Sequence, residues 1–253
     1  MNRLHVLMPI CGKGLRFRSE GYSIPKPFLD VFGQPMFVRA LNSLSPIKCE
    51  KVLSFVVRRE YEEKWKFGEI MHEYLNNASV TILDGDTRGA VETCLHDKKL
   101  YEHKDEAVLV LDCDLWFRSK RYYQLILEVI TNRSNIDGLL LGFNSNNPRY
   151  SYALVENNEV IRTAEKTVIS NHALAGSYLF RSKGIFIKAA TKLISENRSK
   201  LGAEEYYLSL LYNYIISSGG KILFAEVDNY FSFGTPQELK ETLNSNIFKK
   251  IVS

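Results

Sequence analysis

The chain has 253 residues, of which 45% are hydrophobic and 25% charged, a balance that excludes a disordered or fibrous protein. Lys and Arg number 33 against 29 Asp and Glu, a net charge of +4. That excess is too small to name nucleic acid or a membrane as the partner, but it suits a site for small anions.

Leu4 to Met8 reads as a short buried strand, and Lys51 to Val57, Val80 to Leu83 and Ala107 to Leu111 as three more. Between and after them lie stretches with helical spacing: Pro35 to Leu44, Glu60 to Leu75, Arg88 to Tyr101 and Arg121 to Thr131. Strand alternating with helix predicts crossover connections and a mainly parallel sheet flanked by helices in three layers, a Rossmann-like α/β fold. Asp137 to Phe143 is a fifth strand. Tyr150 to Val155 and Val160 to Glu165, joined by Asn157-Asn158, form a predicted hairpin. Ala173 to Phe180 reads as a strand, Lys183 to Asn197 and Ala203 to Ser217 as helices, and Gly219-Gly220 as a helix end. Lys221 to Val227 is the last predicted strand, and Pro236 to Asn244 a terminal helix with Pro in its first turn. Without repeats, low-complexity tracts or a linker, one domain over 1–253 is expected. Its first half, to about 145, would bind one ligand and its second, from about 146, another.

The four cysteines, Cys11, Cys49, Cys94 and Cys113, are scattered with no C-x-x-C pair, which points to a reducing compartment rather than a disulfide frame or zinc site. The apolar run Leu4 to Ile10 is cut short by Cys11-Gly12-Lys13-Gly14, unlike a signal peptide. No stretch approaches the roughly 20 apolar residues of a spanning helix. A cytoplasmic location is expected.

The most informative segment follows the first strand: Gly12-x-Gly14-x-Arg16-Phe17, then Pro25-Lys26-Pro27-Phe28. Two glycines let the backbone turn tightly with its N–H groups facing an anion. The spacing fails both the Walker pattern and the three-glycine dinucleotide fingerprint. Its distinguishing feature is its cations, Lys13, Arg16 and Lys26 among them, on one loop of a nearly neutral chain. Such groups neutralise and orient a polyphosphate. Further on, Asp112-Cys113-Asp114 closes the most apolar strand, at the carboxyl edge where ligands of open α/β sheets bind. Taken singly each feature has a plainer reading: a solvated basic loop, a helix cap at Asp114, a surface ion pair at Glu165-Lys166, solvation of a helix start at Glu204-Glu205.

Together these motifs, with Val31-x-Gly33-x-Pro35-Met36, resemble the signature of the nucleotidyltransferases that activate sugar phosphates. Thr87-Arg88-Gly89-Ala90 resembles their base-reading loop, and Val108 to Asp114 their strand ending in a metal-binding aspartate. Ala164-Glu165-Lys166 resembles their acceptor-binding pair, Ala175 to Phe180 the strand that follows, and Gly234-Thr235-Pro236 their closing turn. The likeness runs in order from Leu4 to about Leu243. Gly21-Tyr22 and Ser151-Tyr152 are similar to a branch linked to capsule and lipopolysaccharide biosynthesis.

The resemblance implies transfer of a nucleotidyl group from a nucleoside triphosphate to a small phosphate monoester, with Mg²⁺ and release of pyrophosphate. It implies Arg16, Lys26 and Asp114 as catalytic residues, and Ile10, Cys11, Gly12, Lys13, Gly14 and Gly89 around the nucleotide. Glu165, Lys166 and Gly176 would meet the acceptor. Asp114 would hold the metal, with Asp112 either joining it or orienting Asp114. CTP is the first expectation for the nucleotide, ahead of UTP and dTTP. The acceptor is a sugar phosphate, or alternatively phosphocholine or another aminoalkyl or polyol phosphate. Homo-oligomers are common in the family. Relatives often carry a second metal-binding Asp two residues before Gly-Thr-Pro, where this chain has Ser232; Asp228 is the expected substitute. A glycosyltransferase using Asp112-Cys113-Asp114 as its D-x-D, and a noncatalytic nucleotide-sensing module, are the competing readings.

Overall fold

The computed structural model describes residues 3–196 and 204–252. In chain order its strands are β1 (Arg3–Ile10), β2 (Glu50–Arg58), β3 (Ala78–Leu83), β4 (Ala107–Leu111), β5 (Leu115–Arg118), β6 (Gly138–Asn144), β7 (Ser151–Glu156), β8 (Glu159–Glu165), β9 (His172–Phe180), β10 (Ile222–Glu226) and β11 (Asn229–Ser232). The helices are α1 (Leu15–Ser19), α2 (Met36–Asn42), α3 (Arg59–Trp65), α4 (Phe67–Tyr74), α5 (Ala90–Leu95), α6 (Lys120–Ile130), α7 (Lys183–Ser195), α8 (Leu211–Ser217), α9 (Pro236–Leu243) and α10 (Asn246–Val252).

Among the described residues nine strands form one sheet in the order β3-β2-β1-β4-β9-β6-β10-β8-β7. β3, β2, β1, β4, β6 and β10 run in one direction, and β9 runs against both its neighbours. The sheet has a helical layer on each face, because its central strands are apolar on both sides. Strand periodicity sends Leu4, Val6, Met8 and Ile10 of β1 into one core cluster and Leu7 into the other. Ala107, Leu109 and Leu111 of β4 likewise oppose Val108 and Val110. β5 and β11 pair in a small separate sheet, against which Trp116, Phe233 and Phe248 gather a third apolar cluster.

The chain winds outward from β1 to β2 and β3, then crosses back to β4 on the other side of β1. The connections that leave β1 and β4 therefore diverge, opening a crevice at their carboxyl ends. Both the glycine loop and the Asp112-Cys113-Asp114 segment start there.

Most predicted elements are found within a few residues of their expected ends, and three are shorter or broken. The expected helix over Glu60 to Leu75 is two, α3 and α4, because Lys66 adopts a left-handed backbone (φ 52°). The break turns Phe67 into an aromatic cluster with Phe28, Phe37 and Phe55. The helix expected from Arg88 starts only after Gly89, whose φ of 139° is incompatible with a helical turn. The helix expected from Ala203 to Ser217 is, from Leu208, a 3₁₀ turn followed by α8, and Ala203 lies outside the described residues. Likewise α7 ends at Ser195, and Asn197 lies outside the described residues. The Asn157-Asn158 turn takes positive φ at both positions (51° and 65°), as a two-residue hairpin requires. The four cysteines are free thiols, and among the described residues no helix is long and apolar enough to cross a membrane.

Candidate active site

Two clefts meet at the carboxyl edge of β1 and β4. The larger, about 730 Å³, is walled by the glycine loop and by Arg58, Asp86 and the Thr87–Gly89 segment. The smaller, about 260 Å³, lies over β9 between β7, β8 and β11 and holds Asp112, Asp114, Glu165 and four tyrosines, Tyr150, Tyr178, Tyr207 and Tyr230. Arg16, Lys26, Ala90 and Gly234 line both.

The glycine loop is fixed from beneath. Tyr61 donates its hydroxyl to the Gly12 carbonyl at 2.7 Å, and Arg58 Nη1 donates to the Cys11 carbonyl at 3.1 Å. Gly14, left-handed at φ 61°, turns the chain into α1, whose Phe17 is buried and packs 5.8 Å from the Lys26 ammonium. Lys13 and Arg58 share Asp86 at 2.6 and 2.7 Å, which holds Lys13 at the mouth of the larger cleft. Across it, Gly89 passes so close to Tyr206 that an added Cβ would lie 2.5 Å from its backbone nitrogen. Only glycine fits there.

The junction of the clefts is electrostatically tense. Lys26 is ion-paired with Asp114, and both are mostly buried. Burial alone would depress the Lys26 ammonium, but the Asp114 charge, aided by Asp112 and a hydrogen bond, outweighs it and the net shift is upward. Asp112 is pushed up to about 8, first by burial and then by the neighbouring Asp114 charge. Its carboxylate accepts no hydrogen bond among the described residues, and that of Asp114 is matched by Lys26 alone. Asp112 and Asp114, two neighbouring carboxylates at the junction of the clefts, fit a hard divalent ion such as Mg²⁺. Among the described residues no three His, Cys, Asp or Glu side chains gather into a cage. Mg²⁺ takes one or two carboxylates and leaves its other positions to water and substrate phosphates.

In the smaller cleft Glu165 accepts hydrogen bonds from the hydroxyls of Ser151 and Ser209, the latter at 2.8 Å. Burial raises its pKa against the pull of those donors. Gly176 sits at a bulge: between matched pairs, β6 contributes Leu141 while β9 contributes Ala175, Gly176 and Ser177. The bulge gives Gly176 a φ of 73° and brings it against Asp112, whose N–H it accepts at 2.9 Å.

Thus Arg16, Lys26, Asp112, Asp114, Glu165 and Gly176 line the smaller cleft, and Cys11, Gly12, Lys13, Gly14 and Gly89 the larger. Three expected residues are placed elsewhere. Ile10, on the core-facing side of β1, is buried in the first apolar cluster and lines neither cleft. Asp228 is exposed and accepts the Lys120 N–H at 2.8 Å, so it caps the start of α6 instead of joining the other carboxylates. Lys166 lines neither cleft: left-handed at φ 51°, it donates to Tyr207 at 2.8 Å and pairs with Glu204 at 3.3 Å. Glu204 and Glu205, read as solvating a helix start, instead line the larger cleft, and no helix begins there.

Arg149, Tyr150, Glu238, Arg58 and Asp86 are site residues that sequence reasoning missed. Glu238 alone left a signal. It follows Thr235 in the T-x-x-E spacing of a capping box, and its N–H does bond Thr235 Oγ1 at 3.2 Å.

No protein-family model matches the chain, and no curated protein matches it. Solved structures do. A nucleoside-diphosphate-sugar pyrophosphorylase from Vibrio cholerae RC9 superposes with a TM-score of 0.79 at 24% identity, covering 95% of this chain and 100% of that one. The inositol-1-phosphate CTP transferase of T. maritima gives 0.71 at 16%, over 97% and 93%. A UDP-glucose pyrophosphorylase complexed with UDP-glucose also gives 0.71 at 16%, over 97% and 98%. The chain shares their fold, and that fold spans nearly all of it.

Proposed function

We propose that the protein is a nucleotidyltransferase that joins a nucleoside triphosphate to a small phosphate monoester and releases pyrophosphate. One observation carries this reading: Arg16 and Lys26 stand on the wall common to both clefts, beside Asp112 and Asp114. A triphosphate in the larger cleft and a monoester in the smaller would meet at that wall. The activities of the structural neighbours support the same reaction class.

An oxygen of the monoester attacks the α-phosphorus. A new P–O bond forms as the bond to the bridging α–β oxygen breaks, its electron pair leaving on pyrophosphate. The nucleophile is already an anion, so no general base is required. The obstacles are repulsion and alignment. Arg16 neutralises the β- and γ-phosphates and the leaving pyrophosphate, with Lys13 assisting from the mouth of the cleft. Lys26 exchanges Asp114 for the α-phosphate. Asp112 and Asp114 hold Mg²⁺, which when bound neutralises charge on the reacting phosphates. Glu165, oriented by two hydroxyls, binds a hydroxyl or ammonium of the acceptor.

We assign CTP as the first nucleotide, ahead of UTP and dTTP, in a cytoplasmic reaction supplying precursors of surface polysaccharide. The acceptor is a sugar phosphate, or a phosphocholine-like aminoalkyl or polyol phosphate. The likeness of Gly21-Tyr22 and Ser151-Tyr152 to the capsule-linked branch supports the surface-polysaccharide role, and the resemblance to branches acting on small alcohol phosphates supports CTP.

The test is pyrophosphate release in Mg²⁺, crossing ATP, GTP, CTP, UTP and dTTP with hexose 1-phosphates, polyol phosphates, phosphocholine and aminoalkyl phosphates. Release that needs both partners in one combination is expected. Consumption of a nucleotide sugar without any such release would replace the reading with glycosyl transfer.

A further inference from the structure

We propose that Arg149, not Lys166, binds the phosphate of the acceptor, an inference that rests on the nucleotidyltransferase reading. The dianion of a monoester entering the smaller cleft needs a cation that the triphosphate does not already engage. Three cations line that cleft: Arg16, Lys26 and Arg149. The first two also line the larger cleft and face the triphosphate; Arg149 lines the smaller one alone. Lys166 lines neither, and its ammonium is held by Tyr207 and Glu204.

Arg149 is built for an incoming anion. Its guanidinium carbon lies 4.6 Å from the centre of the Tyr150 ring, within cation–π range, which helps hold the group in the cleft. Among the described residues its side-chain hydrogen bonds, to Glu238 and to the Tyr150 hydroxyl, use Nη2 alone. Nε is buried and makes none. A buried donor left without a partner asks for one. The bidentate edge of an arginine fork joins Nε to Nη2, so an incoming phosphate would take Nε and share Nη2 with Glu238 and the Tyr150 hydroxyl.

Glu238 completes the device. Its carboxylate is anchored independently of Arg149, accepting from Thr235 Oγ1 and the Tyr150 hydroxyl, each at 3.0 Å. It therefore stays in place as a resting counterion, orienting the guanidinium before the acceptor arrives and sharing it afterwards.

The experiment uses the nucleotide and acceptor pair found in the crossed assay, with Arg149→Met, Arg149→Lys and the double variant Arg149→Met/Glu238→Gln. In Arg149→Met the acceptor KM should rise roughly 10- to 100-fold, the loss of a charge-assisted contact, with the triphosphate KM within about twofold. Arg149→Lys should recover part of the loss. Inorganic phosphate, as a probe of the subsite, should compete with the acceptor in the wild type and weaken by the same factor in Arg149→Met. The double variant removes the stranded carboxylate, so its acceptor KM should stay high. An unchanged acceptor KM, unchanged phosphate competition, or restoration in the double variant would overturn the proposal while leaving the nucleotidyltransferase reading intact. A wild-type chain that releases no pyrophosphate with any pair would remove that reading, and this inference with it.

Discussion

Gly176→Ala places a single methyl group where the structure has no room for it. At φ 73° the backbone is left-handed, and an ideal Cβ would lie 2.6 Å from Leu115 Cδ2 and 2.7 Å from Asp112 Oδ2. Non-bonded contacts settle near about 3.5 Å, so Leu115 and the Asp112 carboxylate must each retreat by roughly 0.8 Å. The left-handed backbone costs an L-residue about 1 kcal/mol and the added methyl about 1–3 kcal/mol, so equilibrium urea unfolding should report a loss of about 2–4 kcal/mol. Leu115 is apolar and buried, whereas Asp112 faces the cleft, so the carboxylate yields more readily. Displacing an orienting group by about 1 Å costs roughly 100-fold in rate, so kcat for pyrophosphate release should fall by that order with a raised Mg²⁺ requirement. Wild-type stability would refute the bulge geometry. Lost stability with wild-type kcat and Mg²⁺ dependence would keep the bulge and refute the role of Asp112.

Asp114→Ala should lower kcat by several orders of magnitude while the chain stays folded, because Asp112 remains near enough to compensate Lys26; near-normal turnover, or unchanged Mn²⁺ binding by electron paramagnetic resonance, would remove its metal role. Asp228→Ala should cost about 0.5–1 kcal/mol in thermal or urea unfolding, as loss of a helix-start acceptor does, and leave Mg²⁺ dependence untouched. A changed Mg²⁺ dependence would put Asp228 back at the metal. For Glu165 the sign follows from burial, which raises its carboxyl pKa above the ordinary 4.5. The folded chain then keeps a proton that the unfolded chain has lost, so this group's contribution falls as pH rises from 4.5 through the raised pKa. Glu165→Gln should therefore be more stable relative to wild type at pH 8 than at pH 4; a pH-independent difference in urea midpoint would contradict that.

The glycine loop, its cations and the aspartates after β4 were legible because their chemistry is local. A tight turn needs glycine within a few residues, and a strand end announces itself by the stop of an apolar run. The same local logic gave the core strands, as Ala107 to Leu111 shows by being buried throughout. It failed where a distant contact decides the backbone. Gly89 is held by Tyr206, Lys66 breaks a helix so that Phe67 can reach Phe55, and Asp228 is claimed by the first N–H of α6.

What the sequence by itself determined is the α/β class, the mainly parallel sheet and the cationic glycine loop after the first strand. Only the tertiary structure decided which charges meet. Arg149 and Glu238 are 89 residues apart and neither has a motif that names the other, yet they share one cleft with Lys26 and Asp114, themselves 88 apart. Lys166, beside Glu165 in sequence, is turned away by one left-handed residue. Electrostatic partnership depends on separations of a few ångströms, which the winding of the sheet sets and which neighbours in sequence do not report.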